Sequence, residues 1–231
     1  MSLHPRTDST NRFPVFQELI PEYAGESLLD FGGNRGNLLY FSNGVIPEEK
    51  YTCVDLNCVD MENWSILKGE EEFPNGNFIT YNRYNEMYNH KGNVDESFPT
   101  VDQHDYIWAY SVFSHMKYED ILDALLWMKT IEANKIYVSY LCNDGDENSK
   151  NVMEYFYQKR VKYFNTCVDF RENTDDYFYL TDNNYGASSG EKFISVFNSD
   201  YLISKLLENG IVANKITCNT VSVPFLEISY V

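Results

Sequence analysis

The sequence predicts an α/β protein whose mainly parallel sheet is covered by helices on both faces. Three observations carry that expectation. Short strand-type apolar blocks alternate with helical patterns, a glycine-rich turn follows the first block directly, and the two closing strand-like segments are joined by a link too short for a parallel crossover. Such blocks read as near-continuous apolar runs because a parallel sheet is buried on both faces.

In chain order, the polar stretch 1–11 reads as a disordered tail ahead of a single domain over 12–231. Strands are expected at Ser27 to Phe31, Tyr51 to Val54, Phe78 to Tyr81, Tyr106 to Tyr110 and Lys135 to Leu141. The clearest helix spans Tyr118 to Ala133, where Ile121, Leu122, Leu125, Met128 and Ile131 recur at helical spacing. A second opens at Ser199 as N-cap and stops at Gly210. Beyond it, Ile216 to Val221 and Phe225 to Val231 flank only Ser222, Val223 and Pro224, which makes them an antiparallel pair. The segment 143–191 interrupts the alternation and reads as an inserted cap with a helix over Val152 to Tyr163. Its many rings suit either a substrate pocket or a small satellite core, and the pattern does not choose between them.

Composition narrows the partners. With 231 residues and 43% hydrophobic content the chain can build a real core. Its 18 basic and 35 acidic residues leave a net charge of −17, which repels a phosphate backbone and argues against nucleic acid. Apolar runs such as Ile136 to Leu141 fall far short of the ~20 residues of a membrane span, so a cytoplasmic protein without a membrane partner is expected. Five scattered cysteines, never in a CxxC arrangement, suggest reduced thiols rather than disulfides or a zinc site. Oligomeric state is not written in these features, and a homodimer is compatible with them.

The segment LLDFGGNRGNLL, Leu28 to Leu39, joins a strand ending at Asp30 to a turn with Gly32, Gly33, Asn34 and Gly36 and then to a helix start. Glycine lets backbone approach a ligand or take positive φ, and asparagine is among the few other residues that tolerate the left-handed region. Free amides at the helix start suit a carboxylate as well as a phosphate. The glycines miss the GxGxxG dinucleotide spacing, and no GK[ST] ending supports a P-loop.

DFGGNRG resembles the DxGxGxG motif of class I S-adenosylmethionine (SAM) methyltransferases: Asp30, Gly32 and Gly36 match, and Asn34 stands at the middle glycine. Asp55 ends the second strand 25 residues later (55 minus 30), where an acid accepts the ribose hydroxyls in related folds. HDYIWAYSVFSHM is similar to the fourth-strand motif of the small-molecule methyltransferases, through Asp105, Ala109, Ser111, Val112, Phe113 and His115, and EKFISVFNSDYLISKLLENGI resembles their late segment. The resemblance runs from Ser27 to Val231 with the insertion outside it. It implies a Rossmann-like seven-stranded sheet, six parallel strands and one antiparallel strand in a C-terminal hairpin. It also implies SAM as cofactor and S-adenosylhomocysteine as product, held by Asp30, Gly32, Gly33, Asn34, Gly36, Asp55, Leu56, Asn82, Tyr110 and Ser111.

His115 is the candidate proton acceptor, since imidazole titrates near neutrality, with packing or capping at the start of the next helix as its structural reading. Asn143 and Asp144 stand where metal-dependent relatives carry ligands, but Ala109, Tyr110 and Ser111 replace the partner acid, so no metal is expected. The [DN]PP[YF] signature of base-amine methylation is absent, which points to a small-molecule acceptor methylated on oxygen or nitrogen. The alternative is a catalytically silent binding or scaffold protein on the same fold.

Overall fold

A computed structural model of the chain describes residues 11–56, 66–85, 89, 91–145, 169–171, 177–182 and 192–231. The tail 1–10 and the helix expected over Val152–Tyr163 lie outside these residues. The chain runs α1 (Phe13–Leu19), β1 (Leu28–Phe31), α2 (Asn37–Phe41), β2 (Tyr51–Leu56), α3 (Ile66–Glu72), β3 (Asn77–Tyr81), β4 (Tyr106–Ala109), α4 (Tyr118–Lys129) and β5 (Lys135–Ser139). It continues with β6 (Asp169–Arg171), β7 (Tyr177–Asp182), β8 (Lys192–Phe197), α5 (Ser199–Leu207), β9 (Ile211–Ile216) and β10 (Phe225–Tyr230).

Seven strands form one sheet in the order β3-β2-β1-β4-β5-β10-β9. β10 is antiparallel to both β5 and β9, which leaves the other six parallel. All four residues of β1 and of β4 are buried, as expected of strands covered on both faces. Alternation along each strand divides the core in two. Leu29, Phe31, Ile107, Val138 and Leu226 face α4 and α5, whose Ile121, Leu125, Leu202 and Leu206 are buried there. Leu28, Trp108, Tyr137 and Phe225 pack with Phe13, Phe16, Leu38 and Leu39 of α1 and α2. Each such side chain, fully removed from water, contributes about 1.5–3 kcal/mol. Glu119 and Asp120 in the first turn of α4 and Lys129 in its last turn complement the helix dipole.

Several boundaries differ from expectation. The penultimate strand begins at Ile211, directly after Gly210 (φ +73), and ends at Ile216, so the strand expected over Ile216 to Val221 is instead most of the β9–β10 loop. The register decides this, since Phe225 pairs with Ile216 and Tyr230 with Ile211, placing Ile211 and Ala213 in the core. Asn198, not Ser199, caps α5, its side chain accepting from the Tyr201 amide at 3.0 Å. β4 and β5 stop at Ala109 and Ser139, and α4 stops at Lys129.

A three-stranded antiparallel sheet, β6-β7-β8, accompanies the main one. β6 and β7 fall within the segment expected as an insertion, while β8 lies outside every strand that the sequence predicts. Its end is tied to the body where the Phe197 amide donates to Leu141 O and the Asn143 amide to Phe197 O. No helix among the described residues is long and apolar enough to cross a membrane.

Candidate functional site

The strand order reverses between β1 and β4, and a cavity of about 330 Å³ opens over the carboxyl ends of β1, β2 and β4. Such switch points are where open α/β sheets take ligands, and this volume lies within the range of small-molecule pockets. Asp30, Gly32, Gly33, Asn34, Asp55, Leu56, Tyr110, Ser111 and His115 all line it, so nine residues scattered over the first half of the sequence meet in one place.

The first two positions of the turn after β1, Gly32 and Gly33, leave no room for a side chain. A Cβ on Gly32 (φ +74) would lie 2.3 Å from Val112 Cγ2, and one on Gly33 would lie 2.4 Å from Asp30 Oδ2. Asn34, at the motif's middle glycine, adopts φ +58, the left-handed conformation that asparagine tolerates. The turn therefore keeps a shape that glycine usually supplies. The Asn34 amide also donates to Asp55 Oδ2 at 2.8 Å, which ties the β1 turn to the end of β2.

Two carboxylates meet the cavity in different states of restraint. Asp30 is buried and accepts the Tyr51 hydroxyl at 2.5 Å. Desolvation pushes its pKa up to about 7 against that hydrogen bond, and the charge of Asp55 adds to the rise. Asp55 is half-buried, with Oδ1 accepting from the Leu56 amide at 2.7 Å, and burial pushes it up to about 6. A carboxylate oxygen has two lone pairs. Each Asp55 oxygen thus keeps acceptor capacity after its amide is counted, which suits a vicinal diol.

Beyond β4 the backbone is held in an unusual path. Ser111 has φ +60 and donates its amide to Ser139 Oγ at 2.7 Å. A short 3-10 turn, Phe113–His115, follows, braced by Asn85 Nδ2 on the His115 carbonyl at 3.2 Å. The buried Ser195 hydroxyl of β8 lies 2.9 Å and 2.7 Å from the carbonyls of Phe113 and Met116, to which it donates. The second sheet thereby fixes the segment that carries His115.

Two expected residues do not line the cavity. Gly36 (φ +74) opens α2 behind the turn, and Asn82 is exposed, its Oδ1 accepting from Asn89 Nδ2 at 3.0 Å. Its neighbours Tyr81 and Arg83 do line the cavity, together with Phe98 and Arg12, none of which the sequence reading found. Arg83 stacks over Phe98 and pairs with Asp120 at 3.3 Å and Asp123 at 2.5 Å. Lone arginines and a loop phenylalanine carry no periodic signal, so only the fold gathers them. Asp144 accepts the amide and hydroxyl of Ser199 at 2.7 and 2.6 Å and pairs with Lys215. Among the described residues no three His, Cys, Asp or Glu side chains cluster as metal ligands do.

This architecture and this switch-point cavity define the class I SAM-methyltransferase fold. Among solved structures, the glycopeptide N-methyltransferase MtfA complexed with sinefungin aligns with 97% of this chain and 95% of its own at TM-score 0.60 and 10% identity. DesVI of Streptomyces venezuelae aligns over 94% of this chain and 89% of its own, at TM-score 0.53 and 12% identity. The mitomycin 7-O-methyltransferase MmcR covers 95% of this chain at TM-score 0.55 and 14% identity, and the chain spans 54% of its length. No family model and no curated protein matches the sequence. At these identities the likeness establishes fold, and function has to be argued from the site.

Proposed function

We propose that this protein is a SAM-dependent methyltransferase that transfers a methyl group to oxygen or nitrogen of a small-molecule acceptor and releases S-adenosylhomocysteine. One observation carries the reading: the turn Gly32–Asn34 and the carboxylates Asp30 and Asp55, read from the sequence as SAM-binding, line one cavity at the switch point. The residues present fit the cofactor. Asp55 is held by two amides with capacity left for ribose hydroxyls, and Leu56, Tyr81 and Phe98 offer apolar walls to a planar base. The glycopeptide N-methyltransferase MtfA is complexed with sinefungin, S-adenosylhomocysteine or SAM in three solved structures, which supports the same chemistry here.

SAM supplies an electrophilic methyl group on a sulfonium. The chain's residues orient the two partners, a positioning effect worth up to several kcal/mol. Tyr110 and Ser111, on the exit of β4, continue the cofactor wall, and His115 beyond them takes the acceptor's proton when the nucleophile needs a base. The net charge of −17 favours small acceptors over nucleic acid.

Calorimetric titration with SAM and with S-adenosylhomocysteine tests the reading. Micromolar binding is expected for the intact protein and is lost in Asp55→Ala and Gly32→Val. A folded protein that binds neither compound removes the proposal, and tight binding with no turnover on a broad acceptor screen selects the silent binding protein instead.

A further inference from the structure

Cations are scarce around this cavity, and the two arginines that line it are in opposite situations. Arg83 is neutralised by Asp120 and Asp123. Arg12 has no carboxylate partner among the described residues, and its guanidinium sits 4.5 Å from the centroid of the Tyr110 ring. A guanidinium held over a ring is bound through its face, so the N–H donors along its edge remain available. Its place is fixed by more than that contact. Its carbonyl accepts the Phe16 amide at 3.1 Å as α1 begins, Phe16 packs edge-on against Trp108 at 5.4 Å, and Trp108 stacks on Tyr110 at 6.2 Å. At the far end of α1, Glu18 accepts hydrogen bonds from Cys218, Asn219 and Thr220 of the β9–β10 loop.

We propose that Arg12 receives the carboxylate of the cofactor's amino-acid tail and so makes this protein select SAM over analogues that lack that group. The inference rests on the SAM reading of the site. Asp55 makes the rest of the cavity acidic, which favours an ammonium and a sulfonium but repels a carboxylate. A ligand carrying all three needs one cation at its acidic end, and the planar fork of arginine matches a carboxylate in two parallel hydrogen bonds. Tyr110, under Arg12, ends the approach from β4, next to the Gly32–Asn34 turn of the neighbouring strand β1.

The test compares SAM with decarboxylated SAM, which keeps adenosine, sulfonium and ammonium and lacks only the carboxylate. The intact protein should prefer SAM by about 10- to 100-fold, the range of a charge-assisted hydrogen bond. Arg12→Ala should weaken SAM by that factor, leave decarboxylated SAM within about twofold and abolish the preference, while Arg12→Lys should retain part of it. Thermal melts of the free proteins establish that both variants fold. Equal loss for both ligands would mean that Arg12 only props Tyr110 and α1, and no loss for SAM would mean that the guanidinium serves another group. Either result overturns the inference and leaves the SAM reading standing, whereas an intact protein that binds neither ligand removes both.

Discussion

Replacing Gly32 by alanine tests whether the turn's geometry is set by the contact with β4's exit. The new Cβ would stand 2.3 Å from Val112 Cγ2, well inside any van der Waals contact, at a backbone φ of +74. Left-handed backbone costs a non-glycine residue about 1–2 kcal/mol, and overpacking adds about 1–3 kcal/mol. Gly32→Ala should therefore destabilise by about 2–5 kcal/mol and lower Tm on the order of 10 °C for a chain of this size. Val112→Ala removes the obstructing methyl group but not the φ strain. The double variant should be more stable than the two single losses predict, with a coupling of about 1–2 kcal/mol, measured by chemical denaturation in a double-mutant cycle. Additive losses within about 0.5 kcal/mol would show that Val112 is not what the turn packs against.

Asp30 has a folded-state pKa raised to about 7 by desolvation, so the folded protein holds a proton that the unfolded chain has released. This stabilisation is complete below the ordinary value of 3.8 and is lost as pH rises toward 7, with a slope no steeper than about 1.4 kcal/mol per pH unit. Asp30→Asn should flatten the denaturation free energy between pH 4 and 7, and an unchanged slope would contradict the burial argument. Glu18 is the opposite case, held down to about 2 by hydrogen bonds from Cys218, Thr220 and the Asn219 amide. Its contribution is present above the ordinary value near 4.5 and lost as pH falls through 2. Glu18→Gln should thus be less stable than the intact protein at pH 7, with the gap closing on acidification. Replacing the fully buried Phe113 by alanine should cost about 3–5 kcal/mol, and guanidinium melts that show less than 1 kcal/mol would refute its place in the core.

Local chemistry made much of the fold legible. The blocks around Leu29, Ile107 and Val138 announce strands because a strand buried on both faces has no polar side to show. The face of α4 is readable because Ile121, Leu125 and Met128 return at helical spacing. β8 and the true limits of β9 were not legible, since what sets them is the register against the neighbouring strand: Tyr177–Asp182 for one and Phe225–Tyr230 for the other. Periodicity cannot register a partner.

The site divides along the same line. Sequence alone marked the turn after β1, because such a turn demands residues that tolerate crowding or positive φ, and that demand is local and leaves a motif. It also marked Asp30 and Asp55, each of which stands one residue before the end of its strand. Only the tertiary structure decided that Arg12, Arg83 and Phe98 join them, that Asn82 turns to Asn89, and that Ser195 braces the segment bearing His115. Those placements depend on strand order and on which face of the sheet each helix covers. They are properties of long-range packing, and no neighbouring residue in the chain has to record them.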